Sequence, residues 1–248
     1  MRLLSLFLLS LFLVACQGEG SHAEGAEDHA EENAEEHAED HPEDNPTGEW
    51  IVLFDGTSLD NFRGFKRDTV PESWTIDDDG ALTFAVSDDR GDLVTRDTFG
   101  DFELELEWKI SPAGNSGIIY RASEEFDAPW MTGPEYQILD NTAHPDANFG
   151  DDRKAGANYD MHPANPDAVA EVGEWNTTRI VARGNNVEHW LNGEMVVSYE
   201  LYSDDWNERL ANSKWTDFPE YGRRMSGVIA FQDHDDPVYY RNIRVKPL

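Results

Sequence analysis

Beyond residue 49 the apolar residues of this chain come in short runs of period two, separated by turn chemistry. Phe102 to Ile110, FELELEWKI, alternates apolar with acidic residues, as a strand does when one face is buried and the other wet. Thr178–Val181, Val187–Leu191 and Met195–Tyr199 follow one another across Arg183-Gly184-Asn185-Asn186 and Asn192-Gly193, the second a strong two-residue hairpin signal. A meander is expected there, and the whole domain is expected to be all-β, a sandwich of strands. The single cysteine, Cys16, lies before this region, so no disulfide supports it. About 200 residues rich in Trp, Tyr and Phe are enough to build one core instead.

Two segments depart from the strand pattern. Asn141 to Glu174 is rich in Pro, Asp, Asn and Gly and reads as a long excursion, the kind of loop that carries function on a β scaffold. Ser203 to Arg224 carries Trp206, Leu210, Trp215 and Phe218 at roughly helical spacing, which predicts a short amphipathic helix. Asp77-Asp78-Asp79-Gly80 lacks the spacing of a calcium loop and reads as a turn between two strands.

The N-terminus is of another kind. MRLLSLFLLSLFLVAC has one basic residue, then a run from Leu3 to Val14 without a charge, then Ala15 and Cys16. That is an export signal too short to span a bilayer comfortably, and Leu13-Val14-Ala15-Cys16 resembles the site at which bacterial lipoproteins are cleaved and acylated. Residues 1–16 are therefore expected to be removed or lipidated at Cys16, giving an exported, envelope-located protein held to the membrane by its lipid. Gln17 is not the aspartate that retains enterobacterial lipoproteins in the inner membrane, which is compatible with outer-membrane placement. Residues 17–48 are expected to be an acidic, unstructured tether, since they hold almost nothing to bury. His22, His29, His37 and His41 leave two readings of it, a loose zinc or copper site or a solvated, self-repelling linker.

The formal charge of −32 is spread unevenly, because residues 17–46 contain twelve acids and no Lys or Arg, leaving about −20 on the domain. Nucleic acid is excluded as a partner, since binding phosphate requires a basic face. A neutral ligand such as a sugar suits this surface. Neither a phosphate-cradling glycine loop nor a nucleophile elbow nor a dinucleotide fingerprint occurs.

Several segments, in this order, resemble one family. They are Leu53-Phe54-Asp55-Gly56 with Ser58-Leu59, Gly91-Asp92-Leu93-Val94-Thr95, Asp101-Phe102-Glu103-Leu104 and Asn115-Ser116-Gly117-Ile118-Ile119-Tyr120-Arg121. Glu135-Tyr136-Gln137-Ile138-Leu139-Asp140, Gly173-Glu174-Trp175-Asn176, Trp190-Leu191-Asn192-Gly193 and Ser213-Lys214 follow, then Gln232-Asp233-His234 and Tyr240-Arg241-Asn242-Ile243. Residues 49–248 thus resemble the DUF1080 or 3-keto-disaccharide hydrolase domain. The resemblance implies a concanavalin A-like jelly roll of two antiparallel sheets with a concave face. It also implies a substrate class, glycosides whose sugar carries a ketone at C3.

Strand alternation then asks which polar residues share a face. Tyr136 and Ile138 point to the core, leaving Glu135 and Gln137 on the other side. Ile229 and Phe231 do the same for Gln232 and His234, and Ile118 and Tyr120 for Asn115 and Arg121. If these faces form one sheet, Glu135, Gln137, Arg121, Gln232 and His234 converge on a polar cleft with an acid, a base, a cation and two amides. Arg241 shares its phase with Ile243 and Val245, so either a bulge turns it outward or it is a buried structural arginine. The family's aromatic-Arg-Asn-Ile segment favours a bulge beside the cleft. Asp140 orients Arg121 or His234, or caps a turn, and Tyr159 is expected to line the site from the long loop. His144 and His162, in the same loop, are substrate contacts or solvated.

A 3-keto group acidifies the proton on C2, so a base removes it, the C1 substituent leaves, and water adds back to the enone. Ordinary glycoside hydrolysis instead sets two carboxylates across an oxocarbenium-like transition state. On this reading Glu135 and His234 transfer protons, while Arg121, Gln137 and Gln232 contact the enolate or hydroxyls, with Asn115, Asp140, Tyr159 and Arg241 as further substrate contacts. Asp233, His234, Asp235 and Asp236 are the residues to hold a divalent metal ion at the cleft, if there is one. The alternative function is a non-catalytic carbohydrate-binding or scaffold lipoprotein using the same face, with Trp130, Trp206 and Trp215 as stacking platforms.

Overall fold

The computed structural model describes residues 48–248. The export signal, Cys16 and the tether with its histidines were placed on earlier residues and lie outside the described ones.

Strands follow one another as β1 (Ile51–Phe54), β2 (Phe62–Gly64), β3 (Trp74–Ile76), β4 (Leu82–Phe84), β5 (Leu93–Thr95), β6 (Phe102–Ile110) and β7 (Asn115–Ala122). After these come β8 (Glu135–Leu139), β9 (Asn176–Arg183), β10 (Asn186–Leu191), β11 (Glu194–Glu200), β12 (Val228–Phe231) and β13 (Val238–Pro247). One sheet runs β11-β10-β9-β6-β13-β4-β3, with β1 also on β13, and the second runs β2-β5-β12-β7-β8. All pairings are antiparallel. The expected two-sheet, all-β jelly-roll class is what forms.

The period-two residues do what their pattern predicts. In β6, Phe102, Leu104, Leu106, Trp108 and Ile110 are buried in the core, while Glu105, Glu107 and Lys109 face outward. The β9-β10-β11 meander closes through Asn192 and Gly193, both at positive φ (50° and 85°), the backbone of a type I′ turn. Asp77 Oδ1 accepts the Asp79 and Ala81 amides, so the acidic run is a turn between β3 and β4.

Between the sheets lies a polar pair that the alternation also buries. His189 is enclosed, with Nε2 2.7 Å from the Tyr120 hydroxyl and Nδ1 3.0 Å from the Gly156 carbonyl. Burial pushes its imidazole down to about 3, and that of His162 to about 4. The unfolded chain takes up these protons near pH 6.5 and the folded one does not, so stability is lost as pH falls from about 6.5 toward 3. His189→Gln, which keeps one donor and one acceptor, is expected to flatten that decline by on the order of 2 kcal/mol at pH 4. Urea unfolding at pH 7 and pH 4 checks it; equal slopes with pH in both proteins would remove His189 from the account.

The helical spacing after Ser203 yields α1 (Asp204–Asn212), capped by Ser203 Oγ on the Trp206 amide, and then a 3₁₀ turn over Lys214–Asp217. Its aromatic residues form a column of parallel rings: His162 on Tyr199 (4.7 Å), Tyr199 on Trp206 (5.4 Å), Trp206 on Tyr221 (5.9 Å) and Tyr221 on Trp215 (4.2 Å). Trp206 is buried within this stack, so it is no surface platform. The column fixes where Trp215 and Lys214 stand.

Candidate active site

The outer face of the five-stranded sheet changes character along its strands. Gln232 lies beside Gly117 and Ile119 is in register with Glu135, while Gln137 is in register with Gly117 and Leu139 with Asn115. One end of this face therefore presents Asn115, Gln232 and His234. At the other, Val94, Ile119 and Ala230 form a buried apolar cluster against which Phe65 and Trp130 pack. A cleft of about 300 Å³ lies over the face, lined by Asn115, Gln137, Gln232 and His234 at its polar end and by Trp130, Trp215 and Phe218 at the other. Glu135, Tyr159 and Lys214 also border it.

Glu135 is 4% exposed and its carboxyl makes no hydrogen bond or ion pair among the described residues. Burial pushes it up to about 8, against the pull of the Lys214 cation. It lies across Gly117, where a β-carbon would collide with Glu135 Oε1, so only glycine leaves the carboxyl this seat. Asn115 Nδ2 donates toward His234 Nε2 at 3.3 Å, leaving Asn115 Oδ1 buried without a partner, and Gln232 Oε1 is in the same state. Three acceptor groups thus await donors inside one cleft, the complement of a polyol.

Tyr159 lines the site as expected. Its hydroxyl donates to Asp146 (2.7 Å) and receives Arg153 (3.3 Å), so its ring, not its proton, faces the ligand. Gln137 is partly committed, accepting the Ile138 amide and donating to the Arg153 carbonyl. His144, its Nδ1 occupied by the Asp146 amide, stands edge-on to His234 at 6.3 Å. His162 is held in the aromatic column and bonded to Asp205, away from the cleft.

Three expectations fail for definite reasons. Arg121 does not enter the cleft: Val228 pairs with Ala122 and Ala230 with Ile119, so two residues oppose one, and Arg121 sits in the bulge at φ 54°. The flip buries its guanidinium, which donates to the carbonyls of Gly100 (2.9 Å) and Gly184 (2.9 Å) and to Asp101 (3.1 Å). Arg241 is turned outward by the expected bulge, with Asn242 at φ 54°, but on the other sheet, where it pairs with Glu107 and stacks on Trp175. Asp140 caps a turn, and its carboxylate is engaged there and not with Arg121 or His234. Burial opposes its charge, yet the Thr142 hydroxyl and the amides of Ala113, Thr142 and Ala143 hold its carboxyl below the usual range.

The metal expectation also fails on geometry. Arg90 takes both oxygens of Asp233 (2.9 and 2.5 Å) and pairs with Asp235, while Asp236 accepts the Asn115 amide. Among the described residues no three His, Cys, Asp or Glu side chains gather as ligands. The acids instead pin the loop that carries His234. Asp92 helps from below, accepting the Asp233 amide, and burial pushes its carboxyl up to about 6. Asp92, Lys214 and Phe218 were not foreseen as site residues. Asp92 and Lys214 lay within the resembling segments, whereas Phe218 had only its helical spacing.

A larger groove, about 550 Å³, crosses the outer face of the other sheet. Its acids are spoken for, Glu105 by Arg244 and Glu107 by Arg241, and Asp55 by its own turn at Thr57. Among the described residues this groove offers no unpartnered acid.

An antiparallel sandwich whose one sheet floors a cleft of free acceptors with aromatic walls is a β-sandwich with a cleft suited to a polyol. The chain matches the 3-keto-alpha-glucoside-1,2-lyase-like domain over residues 49–246 and belongs to that family; as a member it is an enzyme acting on sugars. It is 39% identical to a 3-keto-disaccharide hydrolase of Bacteroides thetaiotaomicron, over 80% of this chain and 78% of that one. A crystal structure described as a putative glycosyl hydrolase from Parabacteroides distasonis superposes with a TM-score of 0.74 at 35% identity, covering 80% of this chain and 94% of the other. A galectin-like protein from Bacillus subtilis, at 12% identity and TM-score 0.50, covers 82% of this chain and 96% of its own and shares the fold alone.

Proposed function

We propose that this domain cleaves the glycosidic bond of 3-keto-glycosides by removing the C2 proton, expelling the C1 substituent and hydrating the enone. The observation that carries this is Glu135, a desolvated carboxyl without a partner among the described residues, held over Gly117 in the cleft. A base near pKa 8 is a far stronger acceptor for a carbon-bound proton than an ordinary carboxylate. Its raised value is the opposite of what an oxocarbenium-stabilising carboxylate needs. His234, accepting Asn115 Nδ2 at Nε2, carries its proton on Nδ1 and offers it to the enolate oxygen that forms at C3. Asn115 Oδ1 and Gln232 Oε1 receive sugar hydroxyls. The similarity to a 3-keto-disaccharide hydrolase supports the cleavage of such glycosides. The export signal and Cys16 add that the enzyme works outside the cytoplasm on a lipid anchor.

The test is the purified protein with 3-keto-trehalose in D₂O, followed by mass spectrometry. Release of 3-keto-glucose above the spontaneous rate, with deuterium entering at C2, is expected. Release without deuterium would overturn the elimination, and no release from several keto-sugars would overturn the activity.

A further inference from the structure

We propose that the apolar half of the cleft is an aglycone subsite for a phenolic group, so that the preferred substrates are 3-keto aryl glycosides and not disaccharides. This rests on the reading of the domain as a 3-keto-glycoside-cleaving enzyme. The cleft's unpartnered hydrogen-bonding groups, Asn115 Oδ1, Gln232 Oε1 and the carboxyl of Glu135, are at its polar end and centre. A sugar ring seated there with C2 at Glu135 and C1 turned away from the polar end directs its C1 substituent toward Trp130, Trp215 and Phe218. At that end Trp130 meets Phe218 edge to face at 5.0 Å and Trp215 at 6.4 Å, a corner of rings around the open space. A second sugar there loses water from its hydroxyls and finds few partners, since the Tyr159 hydroxyl is already engaged with Asp146. A flat ring loses nothing polar and gains edge and face contacts.

Lys214, the one cation among the described residues that line the cleft, completes the match. Lys214 Nζ rests over the rings of Tyr159 (4.1 Å) and Trp215 (4.4 Å) and makes no salt bridge among the described residues. In the elimination the C2 proton goes to Glu135, the C–H electron pair becomes the C1=C2 bond, and the C1–O pair departs on the phenolic oxygen. That oxyanion forms beside the ammonium, which stabilises it or protonates it.

The experiment compares wild type and Trp130→Ala on 3-keto-4-nitrophenyl α-glucoside and 3-keto-trehalose. A second arm follows quenching of tryptophan fluorescence by unoxidised 4-nitrophenyl α-glucoside. The substitution is expected to lower the ratio of the two kcat/KM values, aryl over trehalose, by about tenfold and to weaken the quench. A ratio unchanged or shifted the other way overturns the aryl subsite. If wild type cleaves neither substrate yet Trp130-dependent quenching persists, the subsite stands and the cleavage reading falls. Phe218→Leu replaces Trp130→Ala should the latter not fold.

Discussion

Glu135→Gln is expected to lower kcat/KM for a 3-keto-glycoside by about 10³–10⁴-fold and, at the same time, to raise the melting temperature. The first effect follows from removing the base. The second follows from the same burial that makes the base strong. Glu135 ionises near pH 4.5 in the unfolded chain and near pH 8 in the folded one. The folded state therefore holds a proton that the unfolded state has lost, and stability falls as pH rises from about 4.5 to about 8. Glutamine carries no such penalty. At pH 8 the variant is expected to be more stable by on the order of 2–3 kcal/mol, roughly 5–10 °C in Tm, with the two proteins converging at pH 4. Scanning calorimetry at both pH values checks it, alongside a wild-type kcat/KM that rises with unit slope up to about pH 8. A variant that loses activity but is no more stable at pH 8 would show that the carboxyl is not desolvated as described.

Arg121→Met is expected to do the reverse, destabilising the fold by about 3–5 kcal/mol while leaving KM of the folded enzyme as it was. Methionine keeps the aliphatic stem but removes every donor, stranding the Gly100 and Gly184 carbonyls and one side of Asp101. Those three groups lie at the start of β6 and at the β9–β10 turn, so the guanidinium ties the two sheets together. Urea unfolding measures the loss, and initial rates at low temperature give KM. Unchanged stability with a raised KM would return Arg121 to the substrate.

The two variants also show where strand alternation succeeds and where it breaks. Glu135, Gln137, Asn115 and Gln232 were placed on one face by parity alone, and they share that face. Arg121 has the same parity, but the residue pair opposite Ile229 flips it. Nothing local in Ile119-Tyr120-Arg121-Ala122 announces a bulge, since the β-branched and aromatic residues before Arg121 fit a regular ladder equally well. Arg241 is the converse case, because its apolar neighbours conflicted with parity and the bulge was deducible. Which sheet it belonged to was not, because parity says nothing about strand order. The acids around His234 are of the residue types that bind metals, but Arg90, more than 140 positions away in the chain, occupies Asp233 and Asp235.

Period-two patterning and the Asn192-Gly193 turn determined by themselves that the domain is an all-β sandwich, and the absence of cysteine that its core alone must hold it. The segments resembling its family determined the sugar chemistry to be expected of it. Those are local properties, written in hydrophobic alternation and backbone preference over a few residues at a time. The tertiary structure alone decided which acid is desolvated, which arginines are clamps and which rings wall the cleft. Glu135, Trp130 and Lys214 meet only because a column of stacked rings holds the 203–224 segment against a sheet laid down earlier in the chain. Burial and partnership are relations between distant residues, and they set the proton affinity on which catalysis depends.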